Sequence, residues 1–202
     1  LSDALAKLGA QVVSIPTIEI RPPKSWQPLD EAIGRLQQFQ YLLVTSVHGV
    51  RNFFSRLTLH GRDARALQNI KIGAIGPGTA SELEKFQIRA DFVPVGEYAA
   101  EGLLDVLRAD SVQGKTFLIP RARVARDILP ETLRKRGAQV EVVEAYHTIT
   151  PRLSIEHVKG LFNPSPSLIT FTSSSTAKNF VSLLGETDAQ SLLNNVTVAS
   201  IG

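Results

Sequence analysis

Residues 5–15 read LAKLGAQVVSI and residues 133–143 read LRKRGAQVEVV. Gly9 of the first stretch and Gly137 of the second stand 128 positions apart. Each reads as the end of a helix, a glycine stop and the start of a β-rich run. Working outward, two more blocks recur at almost the same spacing. LLVTSVHGVRNFF aligns with ITFTSSSTAKNFV, so that Thr45 meets Thr172, Asn52 meets Asn179 and Phe53 meets Phe180, 127 positions apart. IGAIG at 72–76 matches VASIG at 198–202, 126 positions apart. Three blocks in one order at near-constant spacing describe two copies of one α/β unit. The first copy lacks the opening strand whose counterpart is TFLIPRA, and the second lacks a counterpart to the residues after IGPGTASEL.

Between the repeats, short β-rich runs alternate with helical stripes. The candidate strands are 11–15, 41–45, 71–75, 91–95, 116–119, 139–144, 168–171 and 196–201. They are near-continuous apolar runs, as in parallel strands buried on both faces. Val50, Phe53, Phe54 and Leu57 follow the i, i+3, i+4, i+7 spacing of one helix face, and Ile128, Leu129 and Leu133 begin another. Such alternation predicts a doubly wound α/β architecture. Two stretches break it: IEIRPPKSWQP at 18–28, which reads as a linker, and TITPR at 148–152. Both come after the GAQV strand of their copy. A chain that changes domain at both breaks has a discontinuous domain 1, residues 1–20 and 150–202, and a domain 2, residues 21–149, which includes the connector strands. The two crossovers, 18–21 and 145–149, would then run side by side as a hinge. Two consecutive domains are the simpler alternative, and the linker positions fit it less well.

Composition bounds the chemistry. The 202 residues suffice for one large domain or two small ones, and 43% hydrophobic with 20% charged residues is an ordinary globular balance. No apolar stretch approaches the ~20 residues that span a bilayer. The absence of cysteine excludes disulfides, thiolate metal sites and a cysteine nucleophile. The four histidines show no metal-ligand spacing, so no metal is expected. A net charge of +3 suits a small anionic ligand and does not call for nucleic acid. No secretory segment opens the chain, so a cytoplasmic protein is the default. There is no methionine, the first residues already read as an amphipathic helix, and the last run into a glycine. Both ends are therefore expected to be cuts through a larger protein.

Hydroxyl residues recur where strands give way to helices: Thr45 and Ser46, Thr79 after a Gly-Pro-Gly turn, and the run 172–176, which holds Ser173, Ser174 and Ser175. Their first role is helix N-capping. The same turns lie at the carboxyl ends of parallel strands, where open α/β sheets bind ligands, and helix N-terminal amides with hydroxyls accept anions. IGPGTA at 75–80 fits neither a P-loop nor a dinucleotide fingerprint, but Gly76 allows close backbone approach to an anion. Arg121 and Arg123 come after a strand and are either solvated surface or carboxylate binders. Arg134, Lys135 and Arg136 end a helix and read as surface. Tyr146, one of three tyrosines, sits at the second crossover, where it is either a packed ring or a cleft residue. His48 lies just past the Thr45–Ser46 turn and is a further ligand candidate. No serine–histidine–acid set emerges from residue order.

VTSVHGVRNFF, IGAIGPGTASEL, DFVPVGEYAAEGLL, FLIPRARVARDILPETLRKRGAQV, VEAYHTITP and LITFTSSSTAKNF together resemble the uroporphyrinogen-III synthase family. The resemblance covers nearly the whole chain, and the ordered set is more specific than any single block. It implies two flavodoxin-like parallel-sheet α/β domains joined by a two-stranded connector, the first discontinuous. It also implies a lyase without cofactor that cyclises hydroxymethylbilane, inverting ring D through a spiro intermediate and releasing water. Thr45, Ser46, Thr79, Ser173 and Ser174 match ligand-facing positions of the family, and Tyr146 matches its cleft tyrosine. The serine run departs from the family's commoner pattern of a serine followed by Pro or Ala and Ser, so Ser173, Ser174 and Ser175 stand as alternative contacts. Gly76 and Arg121 complete the candidate substrate-binding set. The implied partners are the linear tetrapyrrole and, as substrate donor, hydroxymethylbilane synthase, with no nucleic acid, no membrane and a monomeric state. Two rival readings are a non-catalytic hinge-type binding protein and a flavodoxin-like nucleotide or flavin enzyme.

Overall fold

Leu42, Leu43 and Val44 are consecutive and all fully buried, which requires a strand covered on both faces. In the computed structural model, which describes residues 1–109, 111–151, 153–194 and 196–200, they lie in such a strand. The chain divides into two compact units: Leu1–Ile20 with Ile149–Gly202, and Arg21–Thr148. In chain order the elements are α1 (Ser2–Lys7), β1 (Glu19–Arg21), α2 (Gln27–Gly34), β2 (Tyr41–Val44), α3 (Val47–Leu59), β3 (Lys71–Ala74), α4 (Pro77–Glu84) and α5 (Ala100–Val106). Next come β4 (Thr116–Ala122), α6 (Ile128–Lys135), β5 (Gln139–Ile149), α7 (Ile155–Gly160), β6 (Leu168–Phe171), α8 (Ser174–Leu184), α9 (Glu186–Leu193) and β7 (Thr197–Ser200).

The larger sheet has the order β1-β5-β4-β2-β3. β2 pairs in parallel with both β3 and β4, and β4 pairs in parallel with β5. Side chains alternate across it with the period of a strand. Leu42, Val44 and Leu118 join Phe53, Leu57 and Ile33 in one core layer. Leu43, Phe117 and Ile119 join Leu103, Leu107 and Leu133 in the other. Each such fully buried side chain stabilises the fold by about 1.5–3 kcal/mol relative to exposure. The stripe Val50, Phe53, Phe54 and Leu57 is the buried face of α3, as its spacing predicts. In the smaller sheet β6 pairs in parallel with β7, and Phe171 packs on Phe180 beside Val158 and Leu184. The architecture is α/β with mainly parallel sheets.

The repeat is visible at the level of single bonds. Gly9 and Gly137 both adopt the left-handed region, at φ 87° and 84°. The next amides, Ala10 and Ala138, donate to Leu5 and Leu133 at 3.1 and 3.0 Å, so both copies end their helix with one glycine-dependent pattern.

Several expected elements differ. Residues 11–15 form no strand among the described residues; Val13 is exposed there and α1 buries none of its residues. Residues 91–95 reduce to one bridge between Phe92 and Gly73, because Pro94 has no N–H to continue a ladder. The expected linker 18–28 contains β1 and the start of α2, where Pro28 falls in the first turn and its missing N–H leaves no bond unmade. β4 and β5 run on to Ala122 and Ile149, beyond the strands 116–119 and 139–144. Of the expected strand 196–201, β7 covers Thr197–Ser200; Ile201 and Gly202 lie outside the described residues, as does Arg152 of the second break. Among the described residues no helix is long and apolar enough to cross a membrane.

Candidate functional site

The site is built on the N-terminus of α3. Ser46 has extended backbone and caps the helix, its Oγ accepting from the Gly49 amide at 3.0 Å. Gly49 is needed there, since a Cβ would lie 3.0 Å from the Pro120 carbonyl oxygen and 3.2 Å from Ser46 Oγ. Ser46 Oγ also accepts from the Tyr146 hydroxyl at 3.0 Å, joining residues 100 positions apart. Tyr146 is only 8% exposed, and the His48 ring lies 5.6 Å from its ring, centre to centre. Burial, reinforced by the Arg51 cation, pulls the His48 imidazole below its ordinary value, so it is neutral at pH 7.

A β-bulge aims Tyr146. Along β4 and β5, Arg121 faces Glu144 and the next pair is Ala122 with Tyr146, so Ala145 has no opposite residue. Its carbonyl accepts from the Asn52 side-chain amide at 2.8 Å, and the Tyr146 carbonyl accepts from the Arg123 amide at 2.9 Å.

A second helix N-terminus, that of α4, comes after the adjacent strand β3. Gly76 is buried and extended there, with Pro77 beginning the helix. Thr79 is 6% exposed, and among the described residues its hydroxyl has no hydrogen-bond partner. Glu82, 6% exposed, receives two bonds from Arg51 at 2.8 and 3.2 Å and one from Lys85 at 2.8 Å. The Arg51 bonds, then that of Lys85, hold its carboxyl down at about 2. This ion pair ties α3 to α4. Ser46 and Gly76, with the half-buried Thr45, therefore stand at the carboxyl ends of adjacent parallel strands.

Arg121 does not point to a free anion site. Its side chain is 12% exposed, and its guanidinium is engaged by the Asp127 carboxylate and, at 2.9 Å, by the Arg126 carbonyl. It braces the turn between β4 and α6.

In the smaller unit Ser173 caps α8, accepting from the Thr176 amide at 3.2 Å. Its hydroxyl lies 2.9 Å from that of Ser175 and 2.8 Å from that of Thr176. Ser174 is exposed, and among the described residues its hydroxyl has no partner. The Asn179 amide donates to the Thr17 carbonyl at 3.2 Å. Thr45, Ser46, Gly76, Thr79, Arg121 and Tyr146 thus belong to the larger unit, and Ser173, Ser174 and Ser175 to the smaller. Among the described residues the direct contacts within this set are Ser46 with Tyr146 and Ser173 with Ser175. Sequence reasoning missed the bulge, the Glu82 ion pair and the roles of Asn52 and Asn179. The recurrence of the two asparagines in the repeat was the available signal. Among the described residues no group of three or more His, Asp or Glu side chains could hold a metal ion.

Comparison with known proteins places this geometry in a family. The family model described as uroporphyrinogen-III synthase HemD matches residues 1–202. A uroporphyrinogen-III synthase of Synechococcus elongatus is 33% identical over 203 residues, covering 98% of this chain and 76% of its own. A putative uroporphyrinogen-III synthase of Methanothermobacter thermautotrophicus is 31% identical, covering 96% and 77%. Among solved structures, a mutant uroporphyrinogen III synthase of Thermus thermophilus superposes with a TM-score of 0.68 at 19% identity, covering 99% of this chain and 79% of its own. The enzyme of Helicobacter pylori gives 0.60 at 24% identity, covering 95% and 80%. The two solved structures share the α/β fold, and the family match over the whole chain with the relatives above 30% identity shows that the chain belongs to the uroporphyrinogen-III synthase family, enzymes of tetrapyrrole biosynthesis.

Proposed function

We propose that this chain is a lyase that closes linear hydroxymethylbilane to uroporphyrinogen III, inverting ring D and releasing water. The Tyr146–Ser46 hydroxyl pair at the N-terminus of α3 carries this reading. The substrate bears carboxylates on all four rings. Helix N-terminal amides at Ser46, Gly76 and Ser173, with the free hydroxyl of Thr79, suit such a polyanion without many cations. The hydroxyls of Thr45, Ser174 and Ser175 extend the same set, while Arg121 acts by bracing its turn.

Ser46 Oγ accepts from both Gly49 and Tyr146, which uses both its lone pairs and leaves its own proton for an outside acceptor. Each bond in such a chain polarises the next. As the pyrrole nitrogen expels hydroxide, Ser46 donates its proton to the departing oxygen and is resupplied by Tyr146. Deprotonation of the pyrrole after ring closure returns that proton to Tyr146, so the sum is substrate to product plus water. Most of the barrier is geometric, since a flexible chain must be folded so that ring D attacks through its substituted carbon.

The same reading makes each unit a flavodoxin-like domain, 1–20 with 150–202 and 21–149, with β1 and β5 as connector. The division of the chain near residues 20 and 148 supports this. Hydroxymethylbilane synthase is the proposed substrate donor.

The test supplies hydroxymethylbilane generated in situ and separates the oxidised isomers I and III. Spontaneous closure gives isomer I, so isomer III alone counts as activity, and a binding protein without turnover would make none. Tyr146→Phe is expected to slow isomer III formation by ~100-fold or less, the low end of general-acid assistance. An unchanged rate would leave Tyr146 as a wall of the site.

A further inference from the structure

We propose that Asn52 is a positioning residue for this reaction: by holding the carbonyl of the bulge residue Ala145, it sets the Tyr146 hydroxyl on Ser46. The proposal rests on the reading of Tyr146 as proton donor. Its structural basis is the bulge. The carbonyl of an unopposed residue falls outside the ladder and must find another donor. At Ala145 that donor is Asn52 Nδ2, at 2.8 Å. Asn52 lies on α3, the helix that Ser46 caps. One helix thus holds both the tyrosine hydroxyl, through Ser46, and the backbone just before that tyrosine, through Asn52. The Tyr146 carbonyl is fixed from β4 by the Arg123 amide. A tyrosine ring has two side-chain torsions, so clamping its backbone leaves its hydroxyl little freedom.

The repeat supplies an internal control. Asn179, the counterpart of Asn52, donates to the carbonyl of Thr17, which stands 128 positions before Ala145. The asparagine-to-crossover bond therefore occurs in both copies. The residue after Thr17 is Ile18, whereas the residue after Ala145 is Tyr146. With no hydroxyl beyond it, the Asn179 bond anchors chain alone.

The experiment is a double-mutant cycle on the whole chain. Asn52→Ala is expected to slow isomer III formation about fivefold, the worth of one hydrogen bond. Asn52→Ala with Tyr146→Phe should be no slower than Tyr146→Phe alone. Effects of Asn179→Ala and Tyr146→Phe should multiply. Multiplying effects for Asn52 and Tyr146 would overturn the proposal. A second readout does not depend on activity. Fluorotyrosine incorporation gives fluorine resonances for the three tyrosines, with that of Tyr146 identified by its loss in Tyr146→Phe. Asn52→Ala should move the Tyr146 resonance and Asn179→Ala should not. If Tyr146→Phe leaves the rate unchanged, the donor reading fails and the resonance alone judges Asn52; an unmoved signal then overturns the positioning role. Asn52→Leu, similar in size and without a donor, replaces Asn52→Ala if that variant does not fold. Failure of both to fold assigns the bond to the fold alone and overturns the proposal.

Discussion

Removing the Ser46 hydroxyl should cost more stability than a helix cap alone. Ser46 Oγ accepts from the Gly49 amide and from the Tyr146 hydroxyl, each at 3.0 Å. Loss of the cap costs about 1 kcal/mol. Ser46→Ala also strands a tyrosine hydroxyl on a residue only 8% exposed, which adds about 1–2 kcal/mol. Tyr146→Phe keeps the cap and removes one bond without stranding a buried donor, costing about 1 kcal/mol. The double variant strands nothing and should lose little more than the cap, about 1–1.5 kcal/mol. The coupling between the two sites is therefore about 1.5–3 kcal/mol, within the range for residues in direct contact. Ser173→Ala provides the comparison, because Ser173 caps α8 with no tyrosine behind it, and should cost only about 1 kcal/mol. Urea unfolding followed by fluorescence is well suited to this cycle. The single tryptophan, Trp26, belongs to the same unit as Ser46 and Tyr146, so its signal reports that unit. Far-UV circular dichroism tracks Ser173→Ala. Additive losses for Ser46→Ala and Tyr146→Phe would refute the hydroxyl pair.

Stability should fall in acid through two carboxylates. The Arg56 bonds hold Asp30 below its usual value, and those of Arg51 and Lys85 hold Glu82 down at about 2. Their folded values lie below the unfolded ones, so their stabilisation is complete above about pH 4–5 and is lost as pH falls through the folded values. The Trp26 urea midpoint should drop in that window, and Asp30→Asn or Glu82→Gln should flatten the drop; an unaltered slope in both would rule these groups out. Thr79→Ala should cost less stability than Ser46→Ala, since no partner is stranded, but should weaken product binding about fivefold, one hydrogen bond's worth. Unchanged affinity by titration calorimetry would remove Thr79 from the binding set.

The legible part of the fold was what repeats or what is local. β2 to β5 stand out because buried parallel strands are short apolar runs, and the glycine stops at Gly9 and Gly137 because only that residue takes their conformation without strain. β1 was legible only as a crossover beside 145–149, not as a strand in its own right, because a three-residue strand owes its existence to its neighbour β5 and not to its own residues. The reverse error occurred at 11–15, where β propensity is present but no described strand accepts the pairing. The caps at Ser46 and Ser173 were legible because a cap is a local signal. The bond from Tyr146 to Ser46 was not, because it depends on a bulge that exists only once β4 and β5 are in register. The pairing of Arg121 was not legible for a related reason, since its partner Asp127 is close in sequence but meets it only through the turn after β4.

The two copies also separate what the fold needs from what the chemistry needs. Both keep a glycine stop, a serine cap and an asparagine bonded to a crossover carbonyl. Features that survive in both halves serve the common architecture first, because each half has to make the same strand-to-helix turn, and Ser46 and Asn52 take a part in the chemistry only through the tyrosine beside them. The tyrosine after the crossover occurs in one half alone; the other carries Ile18. A symmetric scaffold would carry two equivalent serine caps, one in each unit. Tyr146 breaks that equivalence by giving one of the two caps a proton donor behind it. Replacing Ile18 by tyrosine would restore the equivalence in sequence but not in chemistry, because the bulge that aims Tyr146 at Ser46 is a property of the β4–β5 pairing.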